Sequence, residues 1–170
     1  MTVTITSAEP GLADLIAGIR STIRTGNGPE LIVRAVANQL RRHLPGPEIL
    51  TAEQRMGDPR HYLAHTLHVE PDGSFSVVAL VWRPGQRTRI HDHISWCVFG
   101  VIQGIEHEEL FDQNLNPLGT NDNYPGDVSG FAPPGDIHRV RNVGETTAVS
   151  LHVYGADLSR VGSSVRRYYD

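Results

Sequence analysis

His91-Asp92-His93, taken with His138 downstream, is the part of this chain whose residue types and spacing can do chemistry. On a β-strand successive side chains point to opposite faces, so His91 and His93 aim at one point while Asp92 faces away. Neutral imidazole suits zinc, copper, iron and nickel. A third imidazole from His138 would close a facial triad and leave the far side of a metal open to ligands. One histidine alone is more often a hydrogen-bonded or surface residue. An i, i+2 pair followed by a third favours ligation.

A second group lies near the C-terminus. Ser150, His152 and Tyr154 alternate along one apolar run and so share a strand face. No acid is evident to orient His152, so a hydrolase triad is not the reading. Cys97 is the single cysteine, which rules out an internal disulfide and fits a reducing cytosol. Free cysteine is usually a small buried residue. Glu106, Glu108 and Glu109 read as a solvated strand face. Arg87 reads as a surface charge, and Arg89 and Arg139 as either surface or mouth-lining residues.

These residues need elements to position them. Residues 7–24 carry Leu12, Leu15, Ile16, Ile19 and Ile23 at helical spacing, with Ser7 as a cap and Pro10 in the first turn. Gly26-Asn27-Gly28 stops that helix. A second runs from Pro29 to about His43 on the stripe Ile32, Val36, Leu40, with Arg41, Arg42 and His43 in its last turn. Both are expected to pack against the rest of the chain. From Tyr62 onward, short apolar or alternating runs separated by Gly/Pro turns read as a sandwich or barrel. The runs are 62–69, 75–82, 89–93, 97–103, 106–111, 130–131, 138–143 and 148–154, with an irregular Asn-rich loop over 115–123. Residues 159–170 remain open between strand, helix and loose end.

The 170 residues suit one domain with a real core. A net charge of −4 gives no reason to expect nucleic acid or an anionic membrane as partner. No apolar run approaches the ~20 residues that span a bilayer. Met1 to Ser7 lack a basic region followed by an apolar one, so no signal peptide is expected, and a cytoplasmic location is. A monomer or weak homodimer is expected.

Two blocks carry a resemblance. Gly85, five residues, His91-x-His93 and Gly104 form one; Pro133-x-Gly135-x-x-His138-x-x-x-Asn142 forms the other. Together they resemble the conserved blocks of the cupin superfamily, small antiparallel β-barrels with a metal in the mouth. Most cupins carry a Glu ligand four residues after the second His of the first block. Here that position is Cys97, the mark of the cysteine dioxygenase branch. His91-Asp92-His93-x-x-Trp96 is similar to bacterial thiol dioxygenases, and Ser150-Leu151-His152-Val153-Tyr154 matches the family's Ser-x-His-x-Tyr.

The resemblance spans roughly residues 60 to 160. It implies a mainly β fold, a single cupin-type antiparallel barrel (jelly roll) over 60–160, with the helices of 1–48 packed outside. It implies Fe(2+) held by His91, His93 and His138, and a dioxygenase that converts a small-molecule thiol and O2 to a sulfinic acid. Three neutral ligands leave the iron its full charge, which favours an anionic thiolate, and a Cys at 97 puts no carboxylate in competition for the metal. The resemblance also implies a relay through Ser150 and His152 that ends in the Tyr154 hydroxyl beside the metal. In mammalian members a thioether joins the residues matching Cys97 and Tyr154, while bacterial members often have Gly at the Cys position.

Cysteine-specific relatives carry an Arg near the start of the strand before the first block, and 3-mercaptopropionate relatives a Gln. Here Tyr62-Leu63-Ala64-His65 offers neither. His65 is the nearest polar candidate and, with Tyr62 and Trp96, is expected to shape the substrate pocket. The thiol is then one other than cysteine, with 3-mercaptopropionate and ergothioneine as examples. The rival readings are a cupin enzyme of different chemistry and a non-catalytic metal- or ligand-binding cupin.

Overall fold

In a computed structural model that describes residues 10–170, two five-stranded antiparallel sheets face each other, with helices on the outside of one. Helices α1 (Pro10–Ile23) and α2 (Pro29–His43) are followed by a 3-10 turn at Pro47–Ile49 and the short α3 (Ala52–Met56). The strands are β1 (Leu63–Val69), β2 (Ser76–Trp82), β3 (His91–His93), β4 (Cys97–Gln103), β5 (Glu106–Phe111), β6 (Pro117–Asn123), β7 (Val128–Phe131), β8 (His138–Asn142) and β9 (Ala148–Tyr154). Helix α4 (Leu158–Val161) and strand β10 (Val165–Tyr168) close the chain. One sheet has the order β1-β2-β9-β4-β7 and the other β10-β3-β8-β5-β6.

The period-2 pattern explains why every residue of β2 and β9 is buried. Their outward side chains, Val77, Ala79, Val81, Val149, Leu151 and Val153, join one apolar cluster with the helices. Their inward ones, Val78, Leu80, Trp82, Ala148 and Tyr154, join another inside the barrel with Cys97 and Val140. A strand covered on both faces reads as a continuous apolar run rather than an alternating one. The helices supply Leu12, Leu15, Ile16 and Ile19 from α1 and Val36, Ala37 and Leu40 from α2. Each such Leu or Ile contributes roughly 1.5–3 kcal/mol by leaving water. The Arg20 guanidinium on α1 pairs with the buried Glu70 at the end of β1, and His68 Nε2 lies 2.8 Å from the same carboxylate. The proposed Ser7 cap lies outside the described residues.

One element differs from the sequence expectation, and a segment left open takes a definite form. Residues 117–123 form an edge strand, β6, paired with β5 from Glu106–Asn123 to Phe111–Pro117. Six of its seven residues are exposed, so it carries no apolar alternation to signal it. Backbone pairing against β5 makes the strand. The C-terminal segment becomes α4 and β10, and β10 pairs with β3, the strand that bears the first two histidines. A further element without an apolar signal is α3, which starts on a capping box between Thr51 and Gln54.

Gly104 turns the chain from β4 in one sheet to β5 in the other at φ +78°. A Cβ there would lie 2.7 Å from both Cα and Cβ of Ala148. Gly104→Ala should therefore destabilise the fold by about 1–3 kcal/mol. The expected result is a lower urea midpoint with an unchanged slope.

Candidate metal centre

β3 and β8 are neighbours, and His91 lies directly opposite His138 across that antiparallel pair. His93 shares the face of His91 by alternation. One ring nitrogen from each of the three lies within 4.8 Å of the others, and all three residues are buried. Ring centroids are 4.7 Å apart for His91–His93 and for His91–His138, and 5.0 Å for His93–His138.

Hydrogen bonds on the outer nitrogens set the tautomers. His91 Nδ1 donates to the Arg89 carbonyl at 2.8 Å. His93 Nδ1 lies 3.0 Å from Asp136 Oδ2, and His138 Nδ1 lies 2.7 Å from Glu108 Oε1. A carbonyl can only accept. Asp136 accepts as well, because its ionised form wins: burial raises its pKa, but bonds from the His93 side chain and backbone pull it below the usual range. With Nδ1 carrying the proton, Nε2 is left with a lone pair. Metal-binding histidines are oriented in this way, by a carboxylate or carbonyl on the far nitrogen. A donor set of three imidazole nitrogens fits a transition metal such as iron or zinc. Burial holds His91 neutral, with help from the neighbouring His138 and His93, and lowers its pKa to about 3. His93 is lowered too, chiefly by burial.

Asp92 points away, as its place between two inward residues requires. It accepts from Arg167 Nη2 at 2.6 Å and from the Tyr169 hydroxyl at 3.0 Å. These bonds tie the chain at β10 to the back of the ligand strand.

Across the cavity, β9 presents the second group. Ser150 Oγ lies 2.9 Å from His152 Nε2, and His152 Nδ1 lies 3.3 Å from the Tyr154 hydroxyl. Cys97 on β4 is paired directly with Tyr154 on β9, and its sulfur is 3.9 Å from His152 Nδ1. Opposed places on neighbouring strands are what a thioether between Cys97 and Tyr154 would need. Burial keeps His152 neutral, with a pKa of about 3, and pushes the Cys97 thiol and the Tyr154 phenol well up. His93 and Tyr154 rings are 6.2 Å apart, so the two groups face one space.

That space is a cavity of about 170 Å³. Its lining includes the three histidines, Cys97, His152, Tyr154 and Tyr62. Tyr62 stacks on Trp82 at 4.3 Å.

Two expected pocket residues lie elsewhere. His65 is paired with Ala79, whose side chain belongs to the helix-covered face, so the imidazole is turned outward. The β1 residue that faces inward beside Tyr62 is Ala64, opposite Leu80. Trp96 packs against the outer cluster, with its indole over Gly155, where a Cβ would meet Nε1 at 2.2 Å. Cys97 takes the inward position, so Trp96, one residue earlier, cannot.

The glutamates of β5 also depart from expectation. Glu106 and Glu108 are buried, and Glu109 is ion-paired with Arg139 at 2.7 Å. Alternation places Glu106 and Glu108 inward and Glu109 outward. The acids missed in the sequence thus hold the ligands: Glu108 behind His138, and Asp136 behind His93. The two-residue spacing of Glu106, Glu108 and Leu110 was the available sign that they share an apolar face.

Glu106 is fully buried, and neither carboxylate oxygen reaches a hydrogen-bond partner among the described residues. Burial raises its pKa to about 7; the nearby Ser150 and Trp82 pull it down only in part, and Glu108 adds to the rise.

The cysteine dioxygenase type I family model matches residues 53–167. Among curated relatives, zebrafish (Danio rerio) cysteine dioxygenase type 1 is 34% identical over 94 residues, covering 50% of this chain and 47% of its own. The cattle (Bos taurus) protein of the same name is 28% identical over 157 residues, covering 84% and 73%. An oxalate oxidase structure solved with glycolate superposes with a TM-score of 0.50 at 18% identity, over 59% of this chain and 53% of that one. A double-stranded β-helix protein of Klebsiella pneumoniae also gives 0.50 at 18%, over 62% and 85%. The likeness to these structures is one of fold.

Two antiparallel sheets enclosing three clustered histidines define a cupin-type fold with a candidate metal site. With the family model covering well over half of its length, the chain belongs to the cysteine dioxygenase type I family. It spans about half the length of the curated relatives it first matches.

Two tests follow from this geometry. Asp136→Asn should weaken metal binding about 10–100-fold, read by competition with a chelator. Glu106 binds its proton more tightly folded than unfolded, so stability should fall as pH rises from about 4.5 to about 7 and stay lowered above. Glu106→Gln should remove that slope and raise stability at pH 8 by about 3 kcal/mol, read by urea denaturation across pH.

Proposed function

We propose that this protein is a mononuclear non-haem iron dioxygenase that oxidises a small-molecule thiol to its sulfinic acid. The balance is one thiol plus one O2 giving one sulfinic acid, with both oxygen atoms on sulfur and no further reductant. The observation that carries the reading is the pairing of two groups across one cavity. Three imidazoles face a relay that ends in a phenol, and a cysteine stands where an acidic ligand would otherwise compete.

His91, His93 and His138 would hold the ferrous ion through Nε2, while Arg89, Asp136 and Glu108 keep the rings in place. Iron bound there supplies the activation of O2 and the Lewis acidity that deprotonates a thiol. The remaining steps belong to side chains. Ser150 donates to His152 Nε2, which leaves His152 Nδ1–H to donate to the Tyr154 oxygen. The Tyr154 O–H is then free to point into the cavity, where it can steady O2 or the substrate's polar end. With its pKa raised, the phenol keeps its proton and acts as a hydrogen-bond donor. Cys97 packs against this hydroxyl and adds no charge. Tyr62 forms part of the wall against which substrate rests.

Reconstitution with ferrous iron should give thiol-dependent O2 uptake and one sulfinic acid per O2 consumed. His138→Ala should lose metal and activity together. Tyr154→Phe should keep the metal while kcat falls about 10–100-fold. Metal-loaded protein that consumes no O2 with any of a broad panel of thiols would rule the proposal out.

A further inference from the structure

The walls of the cavity carry a second message, about the far end of the substrate. No Arg, Asp or Glu is among the lining residues, and the chain contains no lysine. Apolar side chains such as Val78, Leu80 and Phe131 line the interior. The lining also carries the hydroxyls of Tyr62, Ser163, Ser164 and Tyr168, of which Ser163 and Tyr168 are exposed. The Tyr62 and Tyr168 hydroxyls have no hydrogen-bond partner among the described residues. Tyr168 is half exposed, so it stands at the rim.

Three arginines adjacent to residues of this lining or stacked on one have acidic partners. Arg89 lies over the Tyr168 ring at 4.6 Å and reaches Asp170 at 3.6 Å. Arg167 is bonded to Asp92 and Arg139 to Glu109. The inward residue of β1, where a long cationic side chain could cross the mouth, is Ala64. A carboxylate or an ammonium carried into this space would lose hydration with no oppositely charged side chain in the lining to replace it. A hydroxyl or another neutral polar end would lose far less, and the two phenols can replace what it loses.

We propose that the site takes a thiol whose far end is uncharged, held at the mouth by the hydroxyls of Tyr62 and Tyr168. This rests on the thiol dioxygenase reading and narrows its substrate class. Sulfur goes to the metal end, the hydrocarbon stem lies along Val78 and Leu80, and the neutral polar end meets the two phenols.

The test uses three thiols of one length: 3-mercapto-1-propanol, 3-mercaptopropionate and 3-aminopropanethiol. Binding to the ferrous enzyme is measured by anaerobic calorimetry, and turnover by O2 uptake. The alcohol should bind tightest and show a kcat/KM about tenfold or more above both charged thiols. Changing Tyr62 and Tyr168 together to Phe should raise KM for the alcohol several-fold and leave kcat within about twofold. Arg89→Gln should leave the order of the three thiols unchanged. Tighter binding of the acid or the amine overturns the proposal, and loss of that preference in Arg89→Gln would assign it to the guanidinium. If the alcohol binds tightest but no O2 is consumed, the dioxygenase reading falls and the cavity assignment stands. If O2 is consumed with the acid preferred, the reverse holds.

Discussion

Three hydrogen bonds on the outer side of the imidazole cluster hold the site together. The Arg89 carbonyl and the buried side chains of Asp136 and Glu108 hydrogen-bond to Nδ1 of His91, His93 and His138. Without them each ring could flip or change tautomer, and Nε2 would face inward only part of the time. With them, three lone pairs converge before any metal arrives, so little reorganisation opposes binding. The same carboxylates would otherwise be unpaired acids in an apolar barrel, which is costly. Ligand and anchor therefore satisfy each other.

The two sheets divide the work. The sheet containing β3 and β8 carries the three histidines, and its β5 brings Glu108 to His138. The sheet containing β4 and β9 carries Cys97 and the Ser150–His152–Tyr154 chain. The cavity is the space between them. Helices α1 and α2 cover the outer face of β2, β9 and β4, so those strands have few ways to move. The Ser150–His152–Tyr154 contacts, 2.9 and 3.3 Å long, persist only if their strand does not slip, and burial on both faces prevents that. On the opposite sheet the equivalent restraint is the Asp92–Arg167–Tyr169 cluster, which fastens the chain end to β3.

Glu106 is the element at odds with ordinary packing. It spends stability by sitting beneath Ser150 with no bonded partner, and the fold tolerates it. Local rules broken at such a place are commonest near functional sites. Cys97 is the opposite case: a small, fully buried group whose thiol burial holds in its neutral form.

Much of this was legible in the residues alone. Alternation on a strand put His91 and His93 on one side and Asp92 on the other, and the same rule aligned Ser150, His152 and Tyr154. Helical spacing found the faces of α1 and α2. These are local properties, settled by backbone geometry within a few residues. What tertiary structure decided was which face looks where. His65 and Trp96 are polar or aromatic residues near the right blocks, yet each sits one place out of phase with its strand's inward side. Asp136 and Glu108 became anchors only because β8 lies between β3 and β5, an adjacency that no spacing within the chain encodes. Strand β6 and the C-terminal β10 have no apolar pattern of their own and exist because a partner's backbone groups need satisfying. Which side chains could meet was written in the sequence; which ones do meet depended on the register of strands far apart in it.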